Sequence, residues 1–326
     1  MIKDCFRWIA TILSFPNNLR RLSPSAKDIN LQNFLFNKTL DSFSVNNKEK
    51  THVIFSNKIL ELVKNKLLTN FLRYSFIQKI FFIHNRFFIY KELQELKKDV
   101  KNWNLWKKLL VENNVGNPVN YFLYKESSGN RIRQVYHLKK FVDFANLDLK
   151  KIKYVLEIGG GYGCMATIFY KINPNIKYVI FDTKEVNLIQ YYYLKMNNIP
   201  VSINSNPNNK KGVSLISNVK DIKFIKKLTY LKKNKTIVIA NWSLSEMSIF
   251  FRQKLNFIYK IFNFILISFQ DKFENINNFN YFSNVHKNLN KKKYKSNIFP
   301  IHTMNSNFFT NRKNFYLFIN NLQCQK

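Results

Sequence analysis

Tyr154-Val-Leu-Glu-Ile-Gly-Gly-Gly-Tyr-Gly-Cys164 joins a short apolar run to a glycine-rich loop. The apolar run is rich in residues that favour strands, and the segment Met165 to Ile172 after the loop has the pattern of a helix. A strand, a glycine-rich loop and a helix in this order are typical of the ligand crevice at the carboxyl edge of an open α/β sheet. The sequence therefore predicts an α/β fold with a binding site at this loop.

The loop carries glycine at alternate positions after an acidic residue, in the pattern Glu157-x-Gly159-x-Gly161-x-Gly163. Glycine adopts positive φ readily and lets backbone N–H groups approach a ligand closely. The helix that follows turns its positive N-terminal end toward the same crevice. These four residues are predicted to bind a nucleotide-like cofactor.

A second predicted strand, Tyr178 to Phe181, ends in Asp182. It lies about 20 residues beyond the loop, where a carboxylate can accept hydrogen bonds from both ribose hydroxyls. The pattern leaves three alternatives open: S-adenosylmethionine (SAM), an NAD-type dinucleotide, for which Gly161 to Ala166 fits G-x-G-x-x-A, and a purely structural turn. SAM is favoured because Glu157 lies where it can reach a methionine ammonium, directly or through water. The mid-chain position of the loop and a candidate closing hairpin at the C-terminus favour it as well.

The chain divides by its patterning into a helical region, residues 1–115, and a domain of alternating strands and helices, residues 116–326. Apolar residues recur at helical spacing up to about residue 112, and Gly116-Asn-Pro118 interrupts the pattern. A further helix is expected from about Ser128. Downstream strands are predicted at 154–158, 178–181, 213–216, 236–240 and 264–268, a terminal pair at 298–303 and 314–319, and helices at 186–196 and 245–259. Alternating strands and helices predict a mainly parallel sheet with right-handed crossovers.

The composition is strongly basic, with 53 Lys and Arg against 19 Asp and Glu and a net charge of +34 over 326 residues. Such a charge is typical of nucleic-acid or anionic-membrane partners. Lys, Asn, Ile, Phe and Tyr are all frequent together, however, as an AT-rich genome would produce, and the basic residues are spread along the chain. We favour this second interpretation of the charge.

The three cysteines, Cys5, Cys164 and Cys324, are far apart and lack metal-ligand spacing. They predict neither a disulfide framework nor a metal site, which is typical of a reducing cytoplasm. The apolar run Trp8 to Phe15 is interpreted as a helix rather than a signal peptide, and no transmembrane helix is expected. We therefore expect a cytoplasmic protein.

Several segments resemble the class I SAM-dependent methyltransferases, and more narrowly the sugar O-methyltransferases found among bacterial surface-polysaccharide genes. The resemblance covers roughly residues 115–326. The segments that carry it are Ile132–Leu138, Val155–Gly163, Phe181–Val186, Asn241–Met247, Ser268–Phe273 and Pro300–His302.

The resemblance implies a Rossmann-like sheet, mainly parallel with an antiparallel C-terminal strand, and SAM as the cofactor. Glu157 and the three alternate glycines would line the methionine end of SAM, and Asp182 would hold the ribose. The implied reaction is methyl transfer to a sugar hydroxyl, with a sugar, a sugar nucleotide or a glycan as partner. Thr183-Lys184 departs from the family, which often has a Leu-Pro pair there, and puts the adenine-side contacts in doubt.

Catalytic candidates follow from the need to remove a proton from a weakly acidic hydroxyl. His302, between Pro300 and the last predicted strand, is the first choice for the general base. Glu246 is the second choice, because its segment follows the fourth strand and opens onto the crevice. Ser243-x-x-Glu246 also has the pattern of a capping box, so Glu246 has a structural alternative.

Substrate contacts are predicted for Asn241 and Trp242, by hydrogen bonding and ring stacking. Asp271, after the fifth strand, is predicted either to bind substrate or to cap a turn. His137, on the helix before the glycine loop, is a further substrate-binding candidate. Both His137 and His302 have the alternative of an ordinary structural histidine.

Other functions remain open. An RNA methyltransferase is encouraged by the net charge, but Asn241-Trp-Ser-Leu replaces the Asn/Asp-Pro-Pro-Tyr/Phe motif used for amino-group methylation, so nucleic acid is disfavoured as a partner. An NAD-dependent sugar-modifying enzyme and a non-catalytic SAM-binding scaffold are further alternatives. The helical N-terminal third could cover the acceptor site, form a homo-oligomer or contact a membrane peripherally.

Overall fold

A computed structural model describes residues 21–40, 50–81, 87–203, 212–218, 222, 225, 235–290, 294–305 and 313–321. The predicted helix at 8–15 lies outside these residues, as do Cys5 and Cys324. Among the helices that are described, none is both long and apolar enough to cross a membrane.

The N-terminal part of the chain is helical, as predicted. Its helices are α1 (Ala26–Leu40), α2 (Lys50–Lys64), α3 (Ser75–Ile80), α4 (Phe87–Lys98) and α5 (Trp103–Leu110), with 3-10 turns at Leu68–Arg73 and Val100–Asn102. Residues at helical spacing form the buried face, as expected for amphipathic helices. Ile59 and Val63 on α2 are buried, as are Trp106 and Leu109 on α5.

A hairpin and a long helix precede the glycine loop. The hairpin is formed by β1 (Asn120–Tyr121) and β2 (Tyr124–Ser128), and α6 follows at Gly129–Ala145. The Ser128 hydroxyl accepts a hydrogen bond from the backbone N–H of Arg131 at 3.2 Å. This bond satisfies one of the free N–H groups in the first turn, and the helix predicted from about Ser128 is confirmed.

Strands and helices alternate in the rest of the chain. The elements are β3 (Ile152–Ile158), α7 (Cys164–Ile172), β4 (Lys177–Phe181), α8 (Lys184–Met196), β5 (Val201–Ile203), β6 (Gly212–Ile216), β7 (Lys235–Asn241), α9 (Ser243–Glu246), α10 (Ile249–Leu255), α11 (Ile258–Ile261), β8 (Phe264–Gln270), β9 (Lys272–Phe273), β10 (Ile276–Asn277), α12 (Asn278–Asn290), β11 (Tyr294–Pro300), α13 (His302–Asn305) and β12 (Asn314–Asn321).

These residues form two compact units. The first contains the described residues of 1–136, 161–168 and 183–203, and the second contains those of 137–160, 169–182 and 204–326. Phe71, Trp106, Tyr162 and Tyr193 are among the large buried side chains of the first unit. Neither unit is one continuous stretch of chain, so the domain boundary near residue 115 stays a prediction.

The second unit contains the central sheet, in the strand order β11-β12-β8-β7-β3-β4-β6. Strands β8, β7, β3, β4 and β6 run parallel. The last two strands of the chain, β11 and β12, are antiparallel to their neighbours. A parallel strand covered on both faces needs a continuous apolar run, and all seven residues of β8 are buried. The predicted α/β fold, mainly parallel with antiparallel C-terminal strands, is confirmed.

The pairing register brings the closing hairpin to the carboxyl edge of the parallel strands. Asn314, at the start of β12, lies opposite Gln270, the last residue of β8. Pro300, the last residue of β11, lies opposite Phe315. The end of β11 and the start of β12 therefore lie at the edge where β3, β4, β7 and β8 end.

Two predicted elements were wrong in their extent. The helix expected at 245–259 is three short helices, because Met247 is extended and the Ser248 hydroxyl starts a new helix by accepting from the N–H of Phe251 at 3.3 Å. The strand expected at 298–303 ends at Pro300, and residues 302–305 form the short helix α13. Proline has no N–H to donate to a ladder, which is consistent with the strand ending there.

Candidate functional site

Most of the polar residues that are candidates for binding or catalysis lie at the carboxyl ends of four adjacent parallel strands. In sheet order, β8 ends in Gln270, β7 in Asn241, β3 just after Glu157, and β4 just before Asp182. Neighbouring strands lie about 4.8 Å apart, so these ends span roughly 15 Å. The arrangement places two carboxyl groups and two amides along one edge of the second unit.

Glu157 is a buried carboxyl group on β3, with 4% of its surface exposed. The Tyr178 hydroxyl on the neighbouring strand donates to its Oε2 at 2.7 Å. Burial disfavours the charged form and raises the pKa of Glu157 to about 8, the Tyr178 hydrogen bond acts to lower it, and the charge of Asp182 raises it further. A cation held close to this carboxyl would favour its ionised form.

Gly159 turns the chain sharply at the end of β3, with φ of +71°. Its N–H donates to the carbonyl of Phe181 at 2.9 Å. A β-carbon at this position would collide with the Ser243 side chain, whose hydroxyl donates to the carbonyl of Ile158. Both the backbone angle and the close approach of Ser243 therefore require glycine here.

The remaining glycines of the loop belong to the first unit. Gly161 and Gly163 have φ of +55° and +97°, and the Gln190 side chain on α8 donates to the Gly161 carbonyl at 2.9 Å. Between them, the Tyr162 hydroxyl donates to Glu112 Oε1 at 3.2 Å. Sequence reasoning missed Gln190 and Glu112, because no local pattern indicates which distant side chain will reach the loop.

Asp182 follows β4 and is half-buried. Its N–H donates to the carbonyl of Ile216 at 3.1 Å, which extends the parallel pairing by one residue. Thr183 accepts from the N–H of Val186 at 3.4 Å and caps α8. The Thr-Lys departure from the resembled family thus supplies a helix cap.

Asn241 and Trp242 leave β7 beside the end of β3. The Asn241 side-chain oxygen accepts from the Ser268 hydroxyl at 3.0 Å, and the Trp242 N–H donates to the Ser268 carbonyl at 2.8 Å. Trp242 has φ of +71°, which is an outlier for a bulky residue. Strain of this kind costs of the order of 1–3 kcal/mol and is concentrated at functional sites.

Glu246 is half-buried at the end of α9. Burial raises its pKa to about 7, and a hydrogen bond from the Gln270 side chain acts to lower it. The Ser245 hydroxyl lies 2.8 Å from Gln270 Oε1 and orients that amide. A carboxyl group with a pKa near the working pH suits general acid–base chemistry.

The capping-box alternative for Ser243-x-x-Glu246 was wrong. The residue at the N-cap of α9 is Trp242, and it makes no side-chain capping hydrogen bond. Ser243 instead donates across to the carbonyl of Ile158. The pattern predicted a local role, but the hydroxyl bridges two strand ends.

His137 is fully buried on α6, below the sheet edge. Its Nδ1 lies 2.5 Å from the Tyr316 hydroxyl, and its ring lies edge-on to Trp242 with centroids 6.5 Å apart. Tyr316 lies opposite Ser268 in the sheet. His137 therefore packs behind Trp242 and β12, and its predicted contact with substrate stays a prediction.

Asp271 and His302 lie farther along the edge. The Asp271 carboxylate accepts from the N–H of Lys272 at 2.9 Å, as expected for a residue that stabilises a turn. His302 is exposed and begins α13, directly after β11 and Ile301. Two strands, β12 and β8, separate β11 from β7, which corresponds to roughly 15 Å. Within the described ranges, no three His, Cys, Asp or Glu side chains are grouped to hold a metal.

No family model matches the chain, and no curated protein matches it. Solved structures are similar to it over about half of its length. Precorrin-6y C5,15-methyltransferase from Geobacter metallireducens GS-15 aligns at 10% identity and a TM-score of 0.36, over 56% of this chain and 85% of that one. The methyltransferase domain of bacterial CtHen1-C aligns at 12% identity and a TM-score of 0.39, over 58% and 97%.

The N-terminal domain of human METTL16, in complex with SAH, aligns at 8% identity and a TM-score of 0.37, over 58% of this chain and 70% of that one. Similarity at this level carries no argument about ligand or substrate, and the α/β fold of this chain rests on its own strand order.

Proposed function

We propose that this chain is a SAM-dependent methyltransferase that binds its cofactor with residues 157–163 and Asp182. The observation that carries the proposal is the buried carboxyl of Glu157 two residues before Gly159, a position where no side chain fits. Burial disfavours the charged form of this carboxyl and raises its pKa to about 8, and a cationic ligand group would stabilise that charged form. The methionine ammonium of SAM is such a group, and a nicotinamide dinucleotide offers none at the corresponding place.

The remaining parts of the loop support the same proposal. Backbone N–H groups at positive-φ glycines can approach a ligand without steric hindrance. Asp182, at the end of the adjacent strand, would accept hydrogen bonds from the ribose hydroxyls. Bound SAM supplies a methyl group on a sulfonium, which is already activated for displacement by an acceptor oxygen.

The chain must then orient the acceptor and remove its proton. Glu246, with a pKa raised to about 7, would accept that proton, and Gln270 would hold its carboxylate in position. His302 stays the alternative base. We favour Glu246 because it follows β7, next to β3, whereas His302 follows β11.

We propose a sugar hydroxyl as the acceptor, free or within a nucleotide sugar or glycan. Asn241 and Trp242 support this choice, since an amide next to a partly exposed indole can hydrogen-bond a sugar and cover one of its apolar faces. The proposed setting is the synthesis of a surface polysaccharide or another glycan. This acceptor class rests on the short Asn241–Met247 segment together with its position at the end of β7.

Calorimetry with SAM and with NAD⁺ tests the cofactor. We expect the wild type to bind SAM only, and Asp182→Ala to weaken binding by about 10- to 100-fold, since hydrogen bonds to a charged group contribute roughly 1.5–3 kcal/mol. Asp143→Ala is the control, because Asp143 pairs with Lys139 at the surface of α6. Binding of NAD⁺ but not SAM would exclude this proposal.

A transfer assay with labelled SAM then tests the acceptor. Sugar nucleotides, oligosaccharides and RNA are offered in parallel, and we expect label in the sugar-containing acceptors. An NAD-dependent sugar enzyme would transfer no label to any of them. RNA is the second candidate acceptor, favoured by the net charge of +34, and its binding would weaken steeply between 50 and 200 mM salt.

A further inference from the structure

Asn187 on α8 is a buried amide whose hydrogen-bonding groups are unused. Its side chain is 1% exposed, and neither Oδ1 nor Nδ2 has a hydrogen-bond partner among the residues that the structure describes. Buried polar groups in folded proteins are almost always paired with protein, water or ligand. An amide with both atoms unpaired therefore points to a partner that binds there.

The face of α8 that carries Asn187 also carries the residues that contact the glycine loop. Gln190 donates to the Gly161 carbonyl at 2.9 Å. A β-carbon on Gly163 would lie 3.5 Å from Leu194 Cγ. Asn187 precedes Gln190 by three residues, so it lies on the same helix face, about 4.5 Å nearer the start of the helix. The unused amide is therefore next to the loop, on the side toward the beginning of α8.

An aromatic ring lies against the same loop. Phe81 follows α3 and is half-buried, and its Cδ1 would lie 3.5 Å from a β-carbon on Gly161. The ring is tilted against Tyr162, with centroids 5.8 Å apart. An aromatic face and an amide edge are the two groups with which proteins hold a base, by stacking and by paired hydrogen bonds. Both are contributed by elements of the first unit.

We propose that Asn187 recognises the adenine of the cofactor, with its oxygen accepting from the exocyclic amino group and its nitrogen donating to N7. Asparagine pairs with adenine in this two-bond manner because one donor and one acceptor lie side by side on each. Adenine is the part of SAM for which the proposed function names no polar partner. The inference rests on the proposed SAM binding.

The test compares S-adenosylhomocysteine with S-inosylhomocysteine, which carries hypoxanthine instead of adenine and so exchanges a donor for an acceptor. We expect the wild type to prefer the adenine compound by at least about tenfold in calorimetry, as one good two-bond contact would give. Asn187→Leu should lose most of that preference and bind the adenine compound about 10- to 100-fold more weakly. Its ligand-free melting temperature should stay equal or rise, because an unpaired buried amide has been removed.

Asn187→Asp is the second variant, which keeps the size of the side chain and replaces the donor with an acceptor. It should bind the adenine compound more weakly and still prefer it, because a carboxylate can accept from the exocyclic amino group of adenine, whereas hypoxanthine presents only acceptors at that edge. Asn278→Leu is the matched control, since Asn278 is buried and donates to the Ser245 carbonyl at 3.1 Å. This control should lower the melting temperature and leave the base preference unchanged.

The outcomes distinguish a failure of the proposed adenine contact of Asn187 from a failure of the proposed SAM binding. If the wild type binds S-adenosylhomocysteine and both Asn187 variants keep its affinity and base preference, Asn187 has only a structural role and the inference is overturned. The same conclusion follows if Asn187→Leu lowers the melting temperature without changing the preference. If the wild type binds neither compound, the proposed function fails first and the inference fails with it.

Discussion

The side chain of Ser243 occupies the space that a β-carbon on Gly159 would need. Ser243 begins α9 after β7, and Gly159 directly follows β3, so the contact joins two adjacent strand ends. The Ser243 hydroxyl donates to the carbonyl of Ile158, one residue before the glycine. The turn that begins the glycine loop is therefore built against a residue about 80 positions away in the chain.

Gly159→Ala should destabilise the protein by roughly 2–4 kcal/mol. About 1 kcal/mol comes from the positive φ, which a β-carbon disfavours, and a further 1–3 kcal/mol from overpacking against Ser243. The double variant Gly159→Ala with Ser243→Gly should recover the overpacking part only. Urea denaturation of the four proteins measures this coupling. Strict additivity of the two substitutions would show that the steric explanation is wrong.

Glu157→Gln should raise the free energy of unfolding, increasingly as the pH rises from about 4.5 to 8. The pKa of Glu157 is raised to about 8 in the folded chain, so between these values the folded state holds a proton that the unfolded state has released. Stability then falls with rising pH, by at most about 1.4 kcal/mol per pH unit. Glutamine removes this dependence. The difference in the free energy of unfolding between variant and wild type, measured in urea at pH 5, 6, 7 and 8, should widen as the pH rises. A difference that stays constant over these pH values would contradict the raised pKa of Glu157.

SAM binding should release a proton near pH 6.5 if Glu157 faces the ammonium. The cation favours the ionised carboxylate, so affinity should rise by up to about tenfold per pH unit between pH 5.5 and 7, where an amino group stays protonated. Calorimetry in two buffers of different ionisation enthalpy measures the proton directly. Glu157→Gln should bind more weakly with no proton release. Proton release that persists in this variant would assign it to another group.

The strand–loop–helix segment could be predicted from the sequence because its signals are local. An apolar run followed by glycines at 159, 161 and 163 leaves few conformations, and the strand, the positive φ values and the helix at Cys164 all follow. The C-terminal pair of strands was likewise expected from two apolar runs, and its antiparallel direction was implied by the family resemblance. The prediction of one helix at 245–259 was wrong. It relied on the spacing of apolar residues and did not treat Ser248 as the residue that caps a new helix.

Side chains that support the site from other segments could not be predicted. Tyr178 acts on Glu157 from the next strand, and Gln190 reaches the loop from α8. The sequence predicted a substrate contact for Asp271 and no role for its neighbour Gln270. The Gln270 side chain nevertheless lowers the pKa of Glu246 through a hydrogen bond. These roles depend on which strands are adjacent and on the direction of each side chain, and a one-residue shift in register would reverse that direction.

Glu246→Gln should lower kcat by about 10²- to 10⁴-fold, the usual contribution of a general base. With the pKa raised to about 7, the wild-type rate should increase tenfold per pH unit below pH 7 and level off above it, because only the ionised carboxylate accepts a proton. The variant should lose this pH dependence. Glu274→Gln is the control, since Glu274 is exposed after β9 and its substitution should leave the profile unchanged.

His302→Gln distinguishes the two candidate bases. The wild-type profile shows that a titrating group takes part without identifying that group, so a second variant is needed. If Glu246 is the base, His302→Gln should keep both the slope and the midpoint of the profile, because His302 follows β11 at the far side of β12 and β8. A profile that becomes flat in His302→Gln and stays intact in Glu246→Gln would assign the proton transfer to His302 and leave Glu246 as a residue that orients the acceptor.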